Sequence, residues 1–383
     1  GGNLLMGAIN VKHTGSGAAI ALSSDGTSLL LDGTAVGGAL ELYAENPQNP
    51  TAPTASGYNA ASIGNNARAT GSDSIAFGTV SQASTNQTVS IGYSTNASAT
   101  GSTALGASAV ASGNYSVSTG GNSTGAGSRA TGSGSTALGG SYASGADSFA
   151  AAIANNTSSY GATAAGCTAI GRLTKAGGGN SSAIGLLAIA PGSNSLAMAR
   201  GQATAAAGNC IAIGYESEAT QPYSTALGYK SKADVKGKFA YQGTGYRTAG
   251  QSQMGLVVLI QATTDATPSI MTTTDGNDLN TAQVILSNNS AFAFHGTIVA
   301  RQSAAQGTAS AAWKVEGLIR REGSAGTTVL VNSATTIFDN TPSWGMALTA
   351  DTTNGALSIT VTGAASTNIR WVATINTSEV IYA

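Results

Sequence analysis

A repeat of 14 residues governs the middle of this 383-residue chain. The repeat reads A-x-G-x-x-S-x-A-Φ-G, where Φ is apolar. Its closing glycine recurs at a 14-residue interval, and spacings of 13, 15 and 19 interrupt the later copies. The regular closing glycines are Gly64, Gly78, Gly92, Gly106 and Gly120. About twelve copies cover residues 58–230. The unit is too short for helical repeats or leucine-rich repeats, so both architectures are excluded.

Side chains alternate within each repeat, which is typical of a short strand. Ile75 and Phe77 fall on one side of such a strand, and Ser74 and Ala76 fall on the other. The glycine that follows permits a turn with positive φ. Two short strands and two turns fit in one repeat, so the pattern predicts a parallel β-roll. Stacking its coils at ~4.8 Å gives a rod on the order of 55 Å long.

Each coil carries only two or three sizeable apolar side chains, too few to offset the entropy of ordering its backbone. We therefore expect burial against other copies, most simply in a homotrimer. The residues predicted to form the core of the repeat, inside the roll or at the seam between subunits, are Ile75, Phe77, Ile91, Leu105, Ile213 and Leu227.

The composition narrows the functional classes. Charged residues make up only 9% of the chain and the net charge is −1, so we expect no nucleic-acid partner. No apolar run reaches the roughly 18–20 residues that span a bilayer, so we expect no membrane insertion. Two histidines and two cysteines offer little for acid–base or metal chemistry. Cys167 and Cys210 fill the Ser74 slot three coils apart, so we expect both thiols to be free.

Four segments follow from changes in composition. Residues 1–44 alternate apolar runs with Asp-Gly turns and predict a small β-rich module. Residues 45–57 contain three prolines and predict a linker. Residues 58–235 form the repeats. Residues 236–383 contain longer strands separated by turn clusters, which predicts an antiparallel β-sandwich or jelly roll.

Two resemblances follow from these residues. The repeat, as in ATGSDSIAFG at 69–78, resembles the head repeat of YadA-type trimeric autotransporter adhesins. That resemblance implies an all-β fold, a left-handed parallel β-roll that is trimeric around a central axis. The strings AAWKVEGLIRR, ADTTNGALSITVTG and IRWVATI resemble a C-terminal module of phage and prophage tail-fibre proteins. This second likeness covers about residues 250–380 and implies a position at a fibre tip.

Candidate binding residues lie where the repeat is interrupted. Residues 121–131 and 153–166 each add five residues to the period, so we expect outward loops, and loops on a rigid scaffold concentrate binding residues. The candidates are Arg129, Asn155, Asn156 and Tyr160. Two alternatives stay open: the insertions have no function, or the ligand binds at the sandwich turns 275–290 and 321–326. Glu216 and Glu218 could form the paired carboxylates of a glycan-cleaving enzyme, but a solvated loop is the simpler interpretation.

These observations favour a non-enzymatic, structural and adhesive protein without cofactor or metal. The leading hypothesis is a homotrimeric bacteriophage tail fibre, located in the virion tail. Its partners would be other phage tail proteins and a host-surface receptor, a glycan or an outer-membrane component. The alternative is a fragment of a bacterial cell-surface trimeric adhesin, and a glycan-degrading tailspike is the third hypothesis.

Overall fold

A computed structural model describes residues 10–11, 20–24, 29–31, 34–35, 51–121, 127–153, 159–274 and 278–382. Four short N-terminal strands pair in sequence as an antiparallel meander. They are β1 (Asn10–Val11), β2 (Ile20–Ser24), β3 (Leu29–Leu31) and β4 (Thr34–Ala35).

The middle of the chain is a parallel β-solenoid of about twelve turns, as predicted. Each regular coil contains a three-residue strand, a turn, a two-residue strand and a second turn, and every strand pairs in parallel with the strand one coil away. The ladder begins inside the proline-rich segment, at Thr54–Ala55, and its last strand is Phe239–Gln242. The strands are β5 (Thr54–Ala55), β6 (Ala61–Ile63), β7 (Arg68–Ala69), β8 (Ile75–Phe77), β9 (Gln82–Ala83), β10 (Val89–Ile91), β11 (Asn96–Ala97), β12 (Thr103–Leu105), β13 (Val110–Ala111), β14 (Val117–Thr119), β15 (Arg129–Ala130), β16 (Thr136–Leu138), β17 (Tyr142–Ala143), β18 (Phe149–Ala151), β19 (Gly161–Ala162), β20 (Thr168–Ile170), β21 (Lys175–Ala176), β22 (Ser182–Ala190), β23 (Leu196–Ala205), β24 (Ile211–Ile213), β25 (Glu218–Ala219), β26 (Thr225–Gly228), β27 (Lys232–Ala233) and β28 (Phe239–Gln242).

The inside of the roll is filled by small side chains. In a typical coil the inward residues are Ser74, Ala76, Ser81 and Ala83, all of them buried. Ser74 Oγ donates to the carbonyl oxygen of Gly71 at 2.6 Å, whereas the buried Oγ of Ser81 has no hydrogen-bond partner among the described residues. A regular coil of two thin strands is narrow, so alanine and serine line most of the interior, and larger buried groups such as Ile153 are few.

The predicted core residues lie on the outside of the roll. The alternation itself was predicted correctly, but Phe77 is 50% exposed and Ile75 44% exposed in the single chain. Ile91 is exposed, and Leu105, Ile213 and Leu227 are half-buried. Their predicted burial within the roll is therefore wrong, because the coil is too narrow to hold them. Their burial at a seam between subunits stays a prediction.

Tight turns join the strands of each coil. Gly78 has φ +118°, and a Cβ there would lie 2.6 Å from the carbonyl oxygen of Gly92 in the next coil, so only glycine fits. One residue in each turn adopts the left-handed conformation, as Asp73 does at φ 55° and Val80 at φ 59°. Glycine, Asn and Asp accept this conformation most readily, which accounts for their frequency in the repeat.

The roll has two outer faces of opposite character. The outward residues of the three-residue strands form an apolar stripe that includes Ile75, Phe77 and Ile91. The outward residues of the two-residue strands form a polar stripe that includes Arg68, Gln82 and Glu218. The stripes belong to separate ladders, so they face different directions.

Two antiparallel sheets follow the roll and share one apolar core. The larger sheet runs in the order β28, β29, β37, β32, β33, β34. In the smaller sheet, β36 pairs with β30, β31 and β35. As predicted from the alternation, Trp313, Val315 and Ile319 face the core, and Lys314 and Glu316 face solvent. The strands are β29 (Ser252–Thr263), β30 (Ser269–Ile270), β31 (Val284–Ile285), β32 (Ser290–Gln302), β33 (Ser310–Arg321), β34 (Val329–Asp339), β35 (Gly345–Asp351), β36 (Ala356–Thr362) and β37 (Ile369–Ile381), and a 3₁₀ turn spans Ala325–Thr327.

A buried polar cluster joins the roll to the larger sheet. Lys238 occupies the inward slot that serine fills in other coils, and its Nζ lies 2.8 Å from Glu379 Oε2 of β37. Both side chains are 2% exposed. The amide of Gln253 pairs with both the N–H and the carbonyl of Lys232, at 2.8 and 2.9 Å, where the strand of a further coil would pair. These contacts satisfy the groups that the end of the roll would otherwise leave unpaired.

Candidate ligand-binding site

The structure separates the binding residues predicted from the two insertions. Arg129 lies in the regular strand β15, on the polar stripe, in register with Val110 and Tyr142. Tyr160 is half-buried and packs against the alanine core, which leaves little of its ring for a ligand. Asn155 and Asn156 lie outside the described residues. Arg129 and Tyr160 therefore do not form a common surface loop.

A different site lies at the end of the roll, above the last coils. A depression of about 210 Å³ is lined by Glu216, Glu218 and Thr204 of the roll and by Arg247 to Ala249 of the following loop. Thr204 and Glu218 are paired neighbours on adjacent coils, so both side chains point out of the polar stripe. The two glutamates that the sequence analysis assigned to a solvated loop thus line the same depression as Arg247.

The wall beside this depression is built from paired side chains on neighbouring coils. The rings of Tyr215 and Tyr229 stack at 5.3 Å with an interplanar angle of 7°. Lys230 Nζ lies 3.1 Å from Glu216 Oε2 and 5.5 Å from the centre of the Tyr229 ring. Hydrogen bonds from Tyr215 and Lys230 lower the pKa of Glu216, so this carboxyl is ionised at neutral pH.

The loop that covers the depression is held in place from below. Lys230 Nζ donates to the carbonyl oxygen of Arg247, and the N–H of Gly250 donates to the carbonyl oxygen of Lys230. The N–H of Thr248 donates to the side-chain oxygen of Gln251 at 3.0 Å. Because these bonds fix the backbone of the loop, the site is formed before any ligand arrives.

Two further depressions continue from the first. The second, of about 360 Å³, shares Arg247 and Thr248 with it and adds Tyr246 and Tyr382. The third, of about 390 Å³, shares Val380 and Tyr382 with the second and adds Arg320, Arg321 and Glu322. We name the three together the junction groove. Its far end reaches the turn at 321–326 that the sequence analysis offered as an alternative site.

The sequence contained a signal for this site that composition alone could not reveal. Tyr215 and Tyr229 are 14 residues apart, so the period places them side by side. The loop that completes the groove lies beyond the last repeat, and no period predicts how it folds back. Among the described residues, no group of three or more His, Cys, Asp or Glu is placed to hold a metal ion.

The cysteines confirm the predicted register. Cys167 and Cys210 are both free and buried in the inward slot. Cys210 Sγ donates to the carbonyl oxygen of Ala207, three residues earlier, as serine does in other coils. Burial raises the pKa of the Cys210 thiol, although its hydrogen bonding with Ser195 and the backbone opposes this. Both thiols thus replace serine as interior groups.

Comparison with known families identifies the roll. The YadA head domain repeat matches residues 55–81, 69–95, 97–123, 176–198 and 202–231. These matches fall along the parallel ladder, so the solenoid is similar to a YadA head. No curated protein matches the chain. No helix in the part of the chain that the structure describes is both long and apolar enough to cross a membrane.

Proposed function

We propose that this chain is a structural and adhesive protein, a homotrimer that holds a binding surface at the end of an extracellular fibre. The apolar stripe is the observation that carries the proposal. Phe77 alone leaves half of its surface in water, and similar groups recur in coil after coil along the same face. Large contiguous apolar patches on a folded chain mark an interaction surface.

A second copy of the same roll is the partner that fits the stripe. Because the coil repeats every 14 residues, the apolar groups of the stripe recur at a constant spacing along the roll. A second copy has the same spacing, so the two stripes can pack in register. The YadA-like head repeats support self-association into a trimer around an axis lined by these stripes. In that arrangement the polar stripe faces outward.

The larger sheet, like the roll, exposes apolar side chains that could contact another copy. Val299 and Val372 are neighbours on its outer face, 51% and 40% exposed. Among the strands that the structure describes, the edge strand β34 pairs with β33 alone, and Ile337 and Phe338 are largely exposed. We propose that the two sheets form a C-terminal sandwich and that this sandwich also contacts its copies, because exposed apolar edges otherwise promote aggregation.

We propose a bacteriophage tail fibre, located in the virion tail, as the particle that carries the trimer. The resemblance of residues 250–380 to tail-fibre modules supports this assignment. The protein would then contact other tail proteins on one side and a host-surface glycan or outer-membrane component on the other. We propose no enzymatic activity, since adhesion by three tips needs only multivalent contact.

A fragment of a bacterial cell-surface trimeric adhesin is the second candidate, because the matched head repeats fit it as well as they fit the fibre. Immunogold electron microscopy with an antibody against the chain distinguishes the fibre from the adhesin. Gold label on phage tails supports the fibre, whereas label confined to the surface of the producing bacterium overturns it in favour of the adhesin.

Adhesion itself is tested with the purified protein. Fluorescently labelled protein is added to a panel of bacterial strains and bound fluorescence is measured by flow cytometry. We expect saturable binding to some strains, competed by unlabelled protein. A lack of saturable binding to every strain would contradict the adhesive function.

A further inference from the structure

We propose that the junction groove binds an uncharged oligosaccharide. The inference deepens the proposed adhesive function by naming the ligand class and the surface that takes it. The groove runs from Glu216 through Arg247 and Tyr246 to Arg320 and Tyr382, across the boundary between the roll and the larger sheet. An elongated groove of linked depressions suits a chain of sugar rings better than a compact ligand.

Exposed tyrosine rings give the groove its apolar contact surface. Tyr246 is 66% exposed and Tyr382 is 91% exposed, and both line the middle depression. The C–H face of a pyranose ring carries partial positive charge and packs on the negative face of an aromatic ring. Tyrosine also offers a hydroxyl to the sugar, so one side chain supplies both kinds of contact.

The polar lining fits hydroxyl groups. The carboxyl oxygens of Glu216 and Glu218 can accept hydrogen bonds from sugar hydroxyls, and the guanidinium of Arg247, which lines the same depression, can donate them. The hydroxyl of Thr248 can do either. A few fixed polar groups beside an aromatic surface are typical of sites that orient small organic ligands.

The charges of the groove cancel, which selects against charged ligands. Three glutamates and three arginines line the depressions, namely Glu216, Glu218, Glu322, Arg247, Arg320 and Arg321. Acidic and basic side chains are equal in number among these lining residues, and Glu216 is already paired with Lys230, so the groove as a whole offers no strong field of one sign that would attract a polyanion. A neutral glycan meets no repulsion at either end.

The end of the groove that lies on the roll stays open in the proposed trimer. Thr204 and Glu218 belong to the polar stripe, on the ladder of two-residue strands, and the apolar stripe lies on the other ladder. Copies that meet through Phe77 and its equivalents therefore leave this part of the groove in solvent. A trimer would present three grooves at one level of the fibre, which raises avidity.

Binding is tested with defined probes. Hexasaccharides of glucose, mannose, galactose and N-acetylglucosamine, and the anionic hyaluronan hexasaccharide, are titrated into the full-length protein and followed by saturation-transfer NMR and calorimetry. We expect at least one neutral hexasaccharide to bind, and more tightly than hyaluronan. Failure of all four neutral probes, or tighter binding of hyaluronan, would overturn the proposal.

Variants locate the site. Tyr246→Ala and Tyr382→Ala should each weaken binding of that hexasaccharide at least tenfold. Tyr93→Ala is the matched control, since Tyr93 is 63% exposed on a distant coil, and it should bind as the parent does. Equal affinity of parent, Tyr246→Ala and Tyr382→Ala overturns the site, and so does a change of oligomeric state in Tyr246→Ala, which would make the groove a subunit contact.

The test of sugar binding by the groove and the test of cell adhesion can succeed or fail independently. If Tyr246→Ala loses the sugar but the labelled protein still binds cells, adhesion stands and the cell receptor uses another surface. If no strain binds the parent protein although a hexasaccharide does, the groove stands and host adhesion fails.

Discussion

Ala76 and Phe77 are adjacent residues in opposite environments. Ala76 is buried between coils, and Phe77 lies on the apolar stripe. Ala76→Leu would add bulk to an interior that holds mostly alanine and serine, so we expect a loss of about 3 kcal/mol, at the upper end of overpacking costs. Thermal unfolding followed by circular dichroism measures this. Phe77→Leu changes an outward residue and should unfold close to the parent temperature, and equal melting of both variants would contradict the assignment of faces.

The same two residues show how far the sequence could lead. Alternation predicted that Ile75 and Phe77 share one side and that Ser74 and Ala76 share the other, and both statements are confirmed. Which side faces inward depends on the width of the coil, and the 14-residue length of the repeat does not determine that width. Large apolar groups suggested the inside by analogy with ordinary cores, whereas the regular coils are thin and hold mostly alanine and serine.

At the scale of elements, the end of the roll depends on one buried ion pair. Lys238→Met would leave Glu379 charged and buried without its partner, and we expect a loss of about 3–5 kcal/mol. All three tryptophans, at 313, 344 and 371, lie in the core of the two sheets, so their fluorescence reports unfolding of this part. Lys314→Met breaks the exposed Lys314–Glu316 pair and should cost under about 1 kcal/mol. A similar loss in both variants would show that burial of the pair does not matter.

The ion pair also predicts a dependence on pH. Burial alone would lower the pKa of Lys238, but the charges of Asp234 and Glu379 outweigh it and raise this pKa. A raised pKa in the folded state stabilises the protein at pH values below the unfolded pKa of about 10.4. That contribution is lost as the pH rises through the folded pKa. The difference in melting temperature between the parent and Lys238→Met should therefore shrink above about pH 10.4, and a difference that stays constant up to pH 12 would contradict this role.

Predictability also differs between elements. Trp313, Val315 and Ile319 alternate with charged residues over a long strand, so their inward side was evident from the sequence. Lys238 in a serine slot marked the last coil, but its partner Glu379 lies 141 positions later. The junction groove depends on the same long-range folding, because Tyr382 and Arg247 meet only after the larger sheet has formed. Local patterns predict strands, and they do not predict which distant ends meet.

At the scale of the whole molecule, the division between the two stripes determines how copies assemble. Phe77→Asp would place a charge where the proposed trimer buries an aromatic ring, and an unpaired buried charge costs several kcal/mol. Because Phe77 is half-exposed in the single chain, the variant should keep its β-rich circular dichroism while losing assembly. Light scattering should give three times the 37.3 kDa mass of one chain for the parent and a single chain mass for the variant.

Gln82→Asp places the same charge on the polar stripe of the same coil and should remain a trimer. A parent protein of one chain mass would rule out the trimer, and a trimeric Phe77→Asp would move the seam to the polar stripe or to the two sheets.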